Sequence, residues 1–193
     1  MEKLSVPTLE NNRVKLLPLT LSNYTELIAI AKEDKLVQYS PSIINTPKDL
    51  KEYVEATIEQ QEKNNAIPFI IFDKKKNAFA GSTRLGNINW KNKVIYLGWT
   101  WIGRDFQGTG LNTNMKFLML EYAFETLKFD KIVFTVDERN IRSRKAVEKL
   151  GATLEGLLRK DVLMPDGFKR NTCVYGILNE EWPTIKLNLA SKL

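Results

Sequence analysis

The stretch WTWIGRDFQGTGLNTN, residues 99–114, decides how the rest of the chain is read. Its aromatic and branched residues end a strand, Gln107-Gly108-Thr109-Gly110 makes a glycine-bearing loop, and a helix opens at Leu111. Glycines let the backbone turn sharply and approach a ligand with no Cβ in the way. The free N–H groups of a helix's first turn, together with the positive end of its dipole, bind anions. Asn112 and Thr113 add side-chain donors at the same place. A phosphate or pyrophosphate site is one reading, and a plain strand-to-helix turn is the other. The GK[ST] of a Walker A loop is missing, and the GxGxxG of a dinucleotide site is missing too.

Working outward from that loop, residues 111–127 carry Met115, Leu118, Met119, Tyr122 and Ala123 at helical spacing. A strand is expected over 131–136. A helix over 141–150 follows, with Ala146, Val147 and Leu150 inward and Gly151 as its stop. Two strands, 154–164 and 169–178, flank the turn signal Pro165-Asp166-Gly167. On the other side, a strand is expected over 13–19 and a helix over 21–33, with Tyr24, Leu27, Ile28 and Ala31 on one face. Thr46-Pro47 is a natural start for a second helix running toward 65, with Leu50, Val54 and Ile58 inward. Strands over 67–72, 78–85 and 93–103 then form an antiparallel meander, with Lys74-Lys75-Lys76 at a solvated hairpin tip. The order β-α-α-β-β-β-α-β-α-β-β is that of a mixed α/β (α+β) domain with one strand–helix–strand crossover. One domain is expected over 8–182, with a C-terminal tail over 183–193.

Composition narrows the chemistry. With 43% hydrophobic and 27% charged residues, the 193-residue chain lies in the globular range. It has one cysteine, which excludes an intrachain disulfide and a Cys-based zinc site. It has no histidine, which removes Ser-His-Asp and Cys-His pairs, HExxH zinc sites and any imidazole base. No metal is expected. The opening MEKLSVPTLENNRVKLL lacks a signal-peptide core and no stretch suits a membrane span, so a cytoplasmic protein is expected. The net charge of +6 favours anionic partners, either nucleic acid or a phosphorylated cofactor.

A second informative segment is Asn140-Ile141-Arg142-Ser143. Asn140 sits where an N-cap belongs, and Ser143 shares the inward stripe of Ala146, Val147 and Leu150. The Ser143 hydroxyl is placed either to reach a ligand or to bond the helix's own first turn. Arg142, Arg144, Lys145 and Lys149 make this helix basic. Cys173 reads as a core thiol, and Trp90, Trp99, Trp101 and Trp182 read as packing residues.

GWTWIGRDFQGTGLNTNMK, NIRSRKAVEKLGATLEG and LLRKDVLMPDGFKRNTCVYGIL together resemble the GNAT superfamily of acetyl-CoA-dependent N-acetyltransferases. More closely, they resemble the branch containing the bacterial ribosomal-protein N-terminal acetyltransferases. The resemblance implies a single GNAT-like domain with a mixed, mostly antiparallel sheet flanked by helices. It implies that the pyrophosphate of acetyl-CoA lies on amides of Gln107, Gly108, Thr109, Gly110, Leu111 and Asn112. The pantetheine arm would pair with the strand carrying Trp101 and Ile102, and an N–H near Trp101 would stabilise the oxyanion. Asn140 would hold the arm, Ser143 would protonate the departing thiolate, and Arg144 and Lys145 would meet the outer phosphates. The loop between the first two helices, with Tyr39, Ser40 and Pro41, would border the acceptor. Homodimers are common in the branch.

Two departures stand out. Asp105 falls where the family's loop opens on Gln or Arg, and Tyr96 falls where many relatives carry a glutamate base. Asp161 is then the candidate base. The leading expectation is direct attack of a primary amine, a protein N-terminus or a small amine, on acetyl-CoA in a ternary complex. The alternatives are a non-catalytic CoA-binding regulator and a basic nucleic-acid or protein-binding module. Scattered positive charge argues against nucleic acid.

Overall fold

A single eight-stranded sheet carries a hydrophobic core on each of its faces. The computed structural model describes residues 5–193. In chain order the elements are β1 (Leu9–Glu10), β2 (Val14–Pro18), α1 (Ile28–Ala31), α2 (Pro47–Glu62), β3 (Ala66–Asp73), β4 (Ala78–Asn89) and β5 (Val94–Ile102). Then follow α3 (Leu111–Glu121), β6 (Lys131–Asp137), α4 (Ile141–Lys149), β7 (Thr153–Leu163), β8 (Lys169–Leu178) and α5 (Trp182–Ala190). The sheet order is β1-β2-β3-β4-β5-β6-β8-β7, and every neighbouring pair is antiparallel except β5 with β6. The α+β class and the mostly antiparallel sheet therefore stand as expected.

The larger core joins Ile95 and Leu97 of β5 with Ile132 and Phe134 of β6, Met115 and Met119 of α3, and Cys173 and Tyr175 of β8. The smaller core, on the opposite face, gathers Leu27, Ala31, Leu50, Val54 and Trp101 under α1 and α2. Thr46 opens α2 through a reciprocal cap with Asp49, and Pro47 takes the first helical position, where its missing N–H costs nothing.

Three local expectations are corrected. The helix expected over 21–33 shrinks to a 3-10 turn at Tyr24–Leu27 and a single α turn at Ile28–Ala31. The cause is local competition: Asn23 Nδ2 donates to Pro18 O, while Asn23 Oδ1 and Thr20 Oγ1 accept from the Thr20 and Ser22 amides. The helix expected over 111–127 is α only to Glu121 and widens into a π turn at Tyr122–Thr126. The tail expected over 183–193 is a helix through Ala190, with Ile185 and Leu189 buried against the larger core.

Trp182 anchors that last helix. It is 3% exposed, stacks on Phe124 at 5.5 Å, tilts against Phe117 at 6.0 Å, and donates Nε1 to Glu125. The π turn places Glu125 to receive both this indole and Lys186. Trp182→Ala is expected to cost about 3–5 kcal/mol of stability, the range for deleting a buried aromatic. Urea unfolding measures this, and a loss below about 1 kcal/mol would return 183–193 to the status of a dispensable tail.

Candidate active site

The sheet opens at its centre. β5 and β6 pair only through Val94–Lys131, Ile95–Ile132 and Tyr96–Val133, so residues 97–102 of β5 have no β6 partner. A bulge accompanies the departure. Arg84 pairs with Gly98 and Ser82 with Trp101, leaving Thr83 opposite both Trp99 and Thr100. Trp99 sits at φ 48°, a left-handed conformation rare for a bulky side chain. Its ring lies across Gly86, where a Cβ would come within 2.9 Å of the indole, so only glycine admits it.

At the end of β5 the loop of residues 107–110 leads directly into α3. Gly108 and Gly110 adopt φ 74° and 85°, and a Cβ at either would meet open space. Glycine is needed here for the backbone conformation and not for closeness. Gly110 is the N-cap of α3 and offers no side chain, and the first helical amide with an internal partner is that of Asn114, to Gly110 O at 3.2 Å. Among the described residues, the amides of 108–113 find no protein acceptor. Gln107 ties the loop down, donating Nε2 to Ile102 O at 2.6 Å and receiving Arg142 on its Oε1. Thr109 Oγ1 donates to Phe106 O and accepts from Arg13 Nη2 at 3.2 Å. Arg13 is itself fixed on buried Asp73, whose carboxyl is held below its usual range by that guanidinium and by backbone N–H groups against the opposing effect of burial.

The expected site residues separate into groups. Trp101 and Ile102 lie on the part of β5 that has no β6 partner, and residues 108–112 offer the free amides, whereas the Gln107 amide, expected to join them, donates to Arg104 O at 3.1 Å. Asn140 caps α4 with Oδ1 on the Ser143 amide at 3.1 Å. This leaves Ser143 half-buried in the first turn, its hydroxyl without a partner among the described residues. Lys145 is exposed on the same helix.

Arg144, expected at the outer phosphates, is engaged within the fold through two of its nitrogens. Its Nε donates to the Tyr175 hydroxyl at 3.1 Å and its Nη1 to Glu138 O, so it braces α4 on the sheet. Asp161 is exposed on the edge strand β7, two strands beyond β6 and so about 10 Å from the cleft edge by strand spacing alone.

Two cations near the loop were not among the expected site residues. Arg13 is 96 residues from Thr109 in sequence, and no local signal connects them. Arg142 does lie in the segment singled out, but nothing in its spacing distinguishes it from Arg144.

Tyr96 and Gly98 face away from α3 and, with exposed Thr135 of β6, floor a stretch of sheet not covered by α1 or α2. Arg170 Nη1 donates to Tyr39 O at 2.9 Å and so fastens the loop between α1 and α2 to β8. On the α3 face, Lys116 is 6% exposed and donates Nζ to Thr100 Oγ1 at 2.8 Å, and Thr100 in turn bonds Thr83. Burial pushes the Lys116 amine down to about 7.

An open edge between parallel strands, ending at a helix start with free amides and ringed by arginines, is the architecture of an acyltransferase that binds a diphosphate-bearing thioester. The profile of the acetyltransferase (GNAT) domain matches residues 13–153, and the chain belongs to that family. That family's fold implies acetyl-CoA as co-substrate. Over 105 residues the chain is 30% identical to YdaF of Bacillus subtilis, whose name marks it provisionally as a ribosomal N-acetyltransferase. That match spans 54% of this chain and only 56% of YdaF. A crystal structure from T. thermophilus, described provisionally as an acetyltransferase, superposes with TM-score 0.87 at 30% identity, covering 98% and 99% of the two chains. The ribosomal-protein-S5-alanine acetyltransferase of Vibrio fischeri shares the fold, with TM-score 0.73 at 19% identity and coverage of 91% and 98%.

The amine of Lys116 ionises near 7 when folded and near 10.5 when exposed, so between those values the unfolded chain binds the extra proton. Stability from this group therefore climbs as pH rises from about 7 toward about 10, and the cost of charging it is complete below about 7. Lys116→Met is expected to be about 1–3 kcal/mol more stable at neutral pH and to lose that climb. Urea midpoints taken from mildly acidic to alkaline pH check both points; an undiminished climb in the variant would contradict the burial argument.

Proposed function

We propose that the protein transfers the acetyl group of acetyl-CoA to a primary amine by direct attack within a ternary complex. The single observation that carries this is the unpaired edge of β5 at 97–102 running into a helix start whose amides at 108–113 are free. The donor supplies an activated acyl group and a thiolate leaving group; the chain supplies position and charge. The amides of residues 108–112 hold the diphosphate, with Arg142 and Arg13 adding positive charge around the loop. The exposed edge of β5 near Trp101 extends the ladder to the pantetheine arm and directs an N–H at the carbonyl oxygen that gains charge. Asn140, already committed through Oδ1 to its cap, keeps its amide NH2 for the arm, and Ser143 gives its proton to the departing sulfur. Lys145 is free to meet an outer phosphate.

The acceptor enters over Tyr96, Gly98 and Thr135, where the sheet is open. No covalent intermediate is needed, so holding a neutral amine against the thioester supplies much of the rate. Tyr96 in the usual glutamate position supports a second reading, a CoA-binding regulator without turnover. Asp161 serves as base only through intervening water, given its place on β7. A cytoplasmic setting fits the single cysteine, scattered charge speaks against nucleic acid, and pairing into homodimers rests on the branch resemblance.

Ser143→Ala is expected to lower kcat about 100-fold, within the range for a lost general acid, while acetyl-CoA still raises the thermal midpoint. Arg142→Ala is expected to raise KM for acetyl-CoA with kcat little changed, since it acts on a part of the donor remote from the chemistry. Thiol release with amines and short peptides measures both. Wild-type protein that binds acetyl-CoA yet releases no thiol with any amine would favour the regulator, and no thermal shift at all would remove the cofactor assignment.

A further inference from the structure

Beside the bulge, against α2, sits a cation that no carboxylate among the described residues neutralises. Arg84 lies on β4 directly opposite Gly98, on the face away from α3. Its guanidinium stacks 4.1 Å from the Trp99 ring and 5.8 Å from that of Tyr53, and Nη1 donates to Thr57 Oγ1 at 2.7 Å. Among the described residues no carboxylate pairs with it, and its Nε is buried without a hydrogen-bond acceptor. Trp101, 5% exposed, packs edge-on against Tyr53 at 6.5 Å on the same face.

The aromatic rings explain part of this arrangement. Cation–π stacking satisfies the faces of the guanidinium, but its in-plane N–H groups still need acceptors. With Nη1 spent on Thr57 and Nε sealed from solvent, Nη2 is the donor left to meet a carboxylate. Burial works against the guanidinium charge at the same time. Leaving such donors unmet is costly, and natural cores avoid it unless a ligand completes them. Room exists on that side, since a Cβ on Gly98 would touch nothing within 4 Å. Gly98 immediately precedes the Trp99–Thr100 bulge where β5 has left β6, so Arg84 stands about 5 Å, one strand spacing, from the line of acetyl transfer.

We infer that Arg84, framed by the rings of Tyr53 and Trp99, is a carboxylate-binding subsite for the acceptor. This rests on the acetyltransferase reading and names the substrate class within it: an amine carrying a carboxylate a few bonds away. The shared chemistry has two sources, the α-carboxylate of a free amino acid and an acidic side chain beside a protein N-terminus. A polyamine meets an unpaired arginine where it needs an anion, and is excluded by the same geometry.

The test uses the full chain at saturating acetyl-CoA, with thiol release corrected for the neutral fraction of each amine. One arm compares alanine and glutamate with alaninamide and glutaminamide. The second compares the peptide amides Ala-Asp-Ala and Ser-Glu-Ala with Ala-Asn-Ala and Ser-Gln-Ala; spermidine is included in both. The expected result is a roughly 10- to 100-fold higher kcat/KM for the carboxylate member of the pairs in one arm, which also tells the two sources apart. In Arg84→Gln that ratio is expected to fall toward one, and Arg84→Lys, which keeps the charge without the guanidinium, is expected to retain part of it. Should Arg84→Gln fail to fold, the wild-type ratios and Arg84→Lys decide. Equal rates across the matched pairs, spermidine as the best acceptor, or no turnover of any carboxylate acceptor would each overturn the subsite while a thermal shift with acetyl-CoA leaves the donor site standing. Absence of that shift would remove the acetyltransferase reading and the subsite with it.

Discussion

Everything at the candidate site depends on β5 turning away from β6 after three paired residues, and the Trp99 bulge is what turns it. A tryptophan at positive φ costs energy of order 1–3 kcal/mol and persists only where its surroundings over-determine it. Here they do so from both faces. On one, the ring is trapped between the Arg84 guanidinium and the bare backbone of Gly86. On the other, Thr100 is held by Thr83 and by the buried amine of Lys116. A further contact fixes the neighbouring strand: a Cβ on Gly81 would fall 2.0 Å from Trp101 O, so the end of β5 lies closer to β4 than any side chain allows. The cleft is thus a packed feature with its own supporting residues, which suits a site that must present N–H groups to a ligand without rearranging.

Two polar groups that are expensive to bury, Lys116 and Arg84, flank this bulge on opposite faces of the sheet. Their situations differ. Lys116 has a hydroxyl acceptor and loses its charge readily, so it serves as a strut whose cost is limited by deprotonation. An arginine has no such escape near neutral pH. A neutralising carboxylate would have removed the expense, and the sequence supplies one to Arg13 through Asp73 and to Arg139 through Asp137. That Arg84 has none among the described residues, beside the cleft, is the asymmetry that sets it apart.

How much of this was legible in the chain varies with the range of the interactions. Elements whose cause is local were readable: the Thr46-Pro47 start of α2, the glycine loop at 107–110, and the Asn140 cap of α4 all follow from side chains within three or four residues. The first helix failed for a local reason as well, because Thr20, Ser22 and Asn23 compete for the backbone they were expected to start. What could not be read depends on residues far apart. The last helix is made by Trp182 finding Phe117, Phe124 and Glu125, a pocket formed only once α3 has widened into its π turn. In the site, the glycine loop was visible as spacing, whereas nothing local shows that of two arginines about half a helical turn apart, Arg142 reaches Gln107 and Arg144 reaches Tyr175.

The lack of histidine is consistent with this architecture. Acyl transfer to an amine from a thioester needs no covalent enzyme intermediate, so it has no need of an activated nucleophile. What it needs is charge placed in advance: amides at the diphosphate, an N–H at the carbonyl, and a proton near the sulfur. Backbone groups meet the first two demands, and a backbone group can be aimed only by bending the backbone. The glycines at 108 and 110 and the bulge at Trp99 do that bending. Under the proposed reaction, Tyr96, standing where the family resemblance places a glutamate base, leaves deprotonation to the acceptor itself. An amine brought in by its own carboxylate, close to a cation and away from bulk water, is held in a setting that disfavours the ammonium form. Recognition of the acceptor and lowering of its basicity would in that case be two effects of one buried guanidinium.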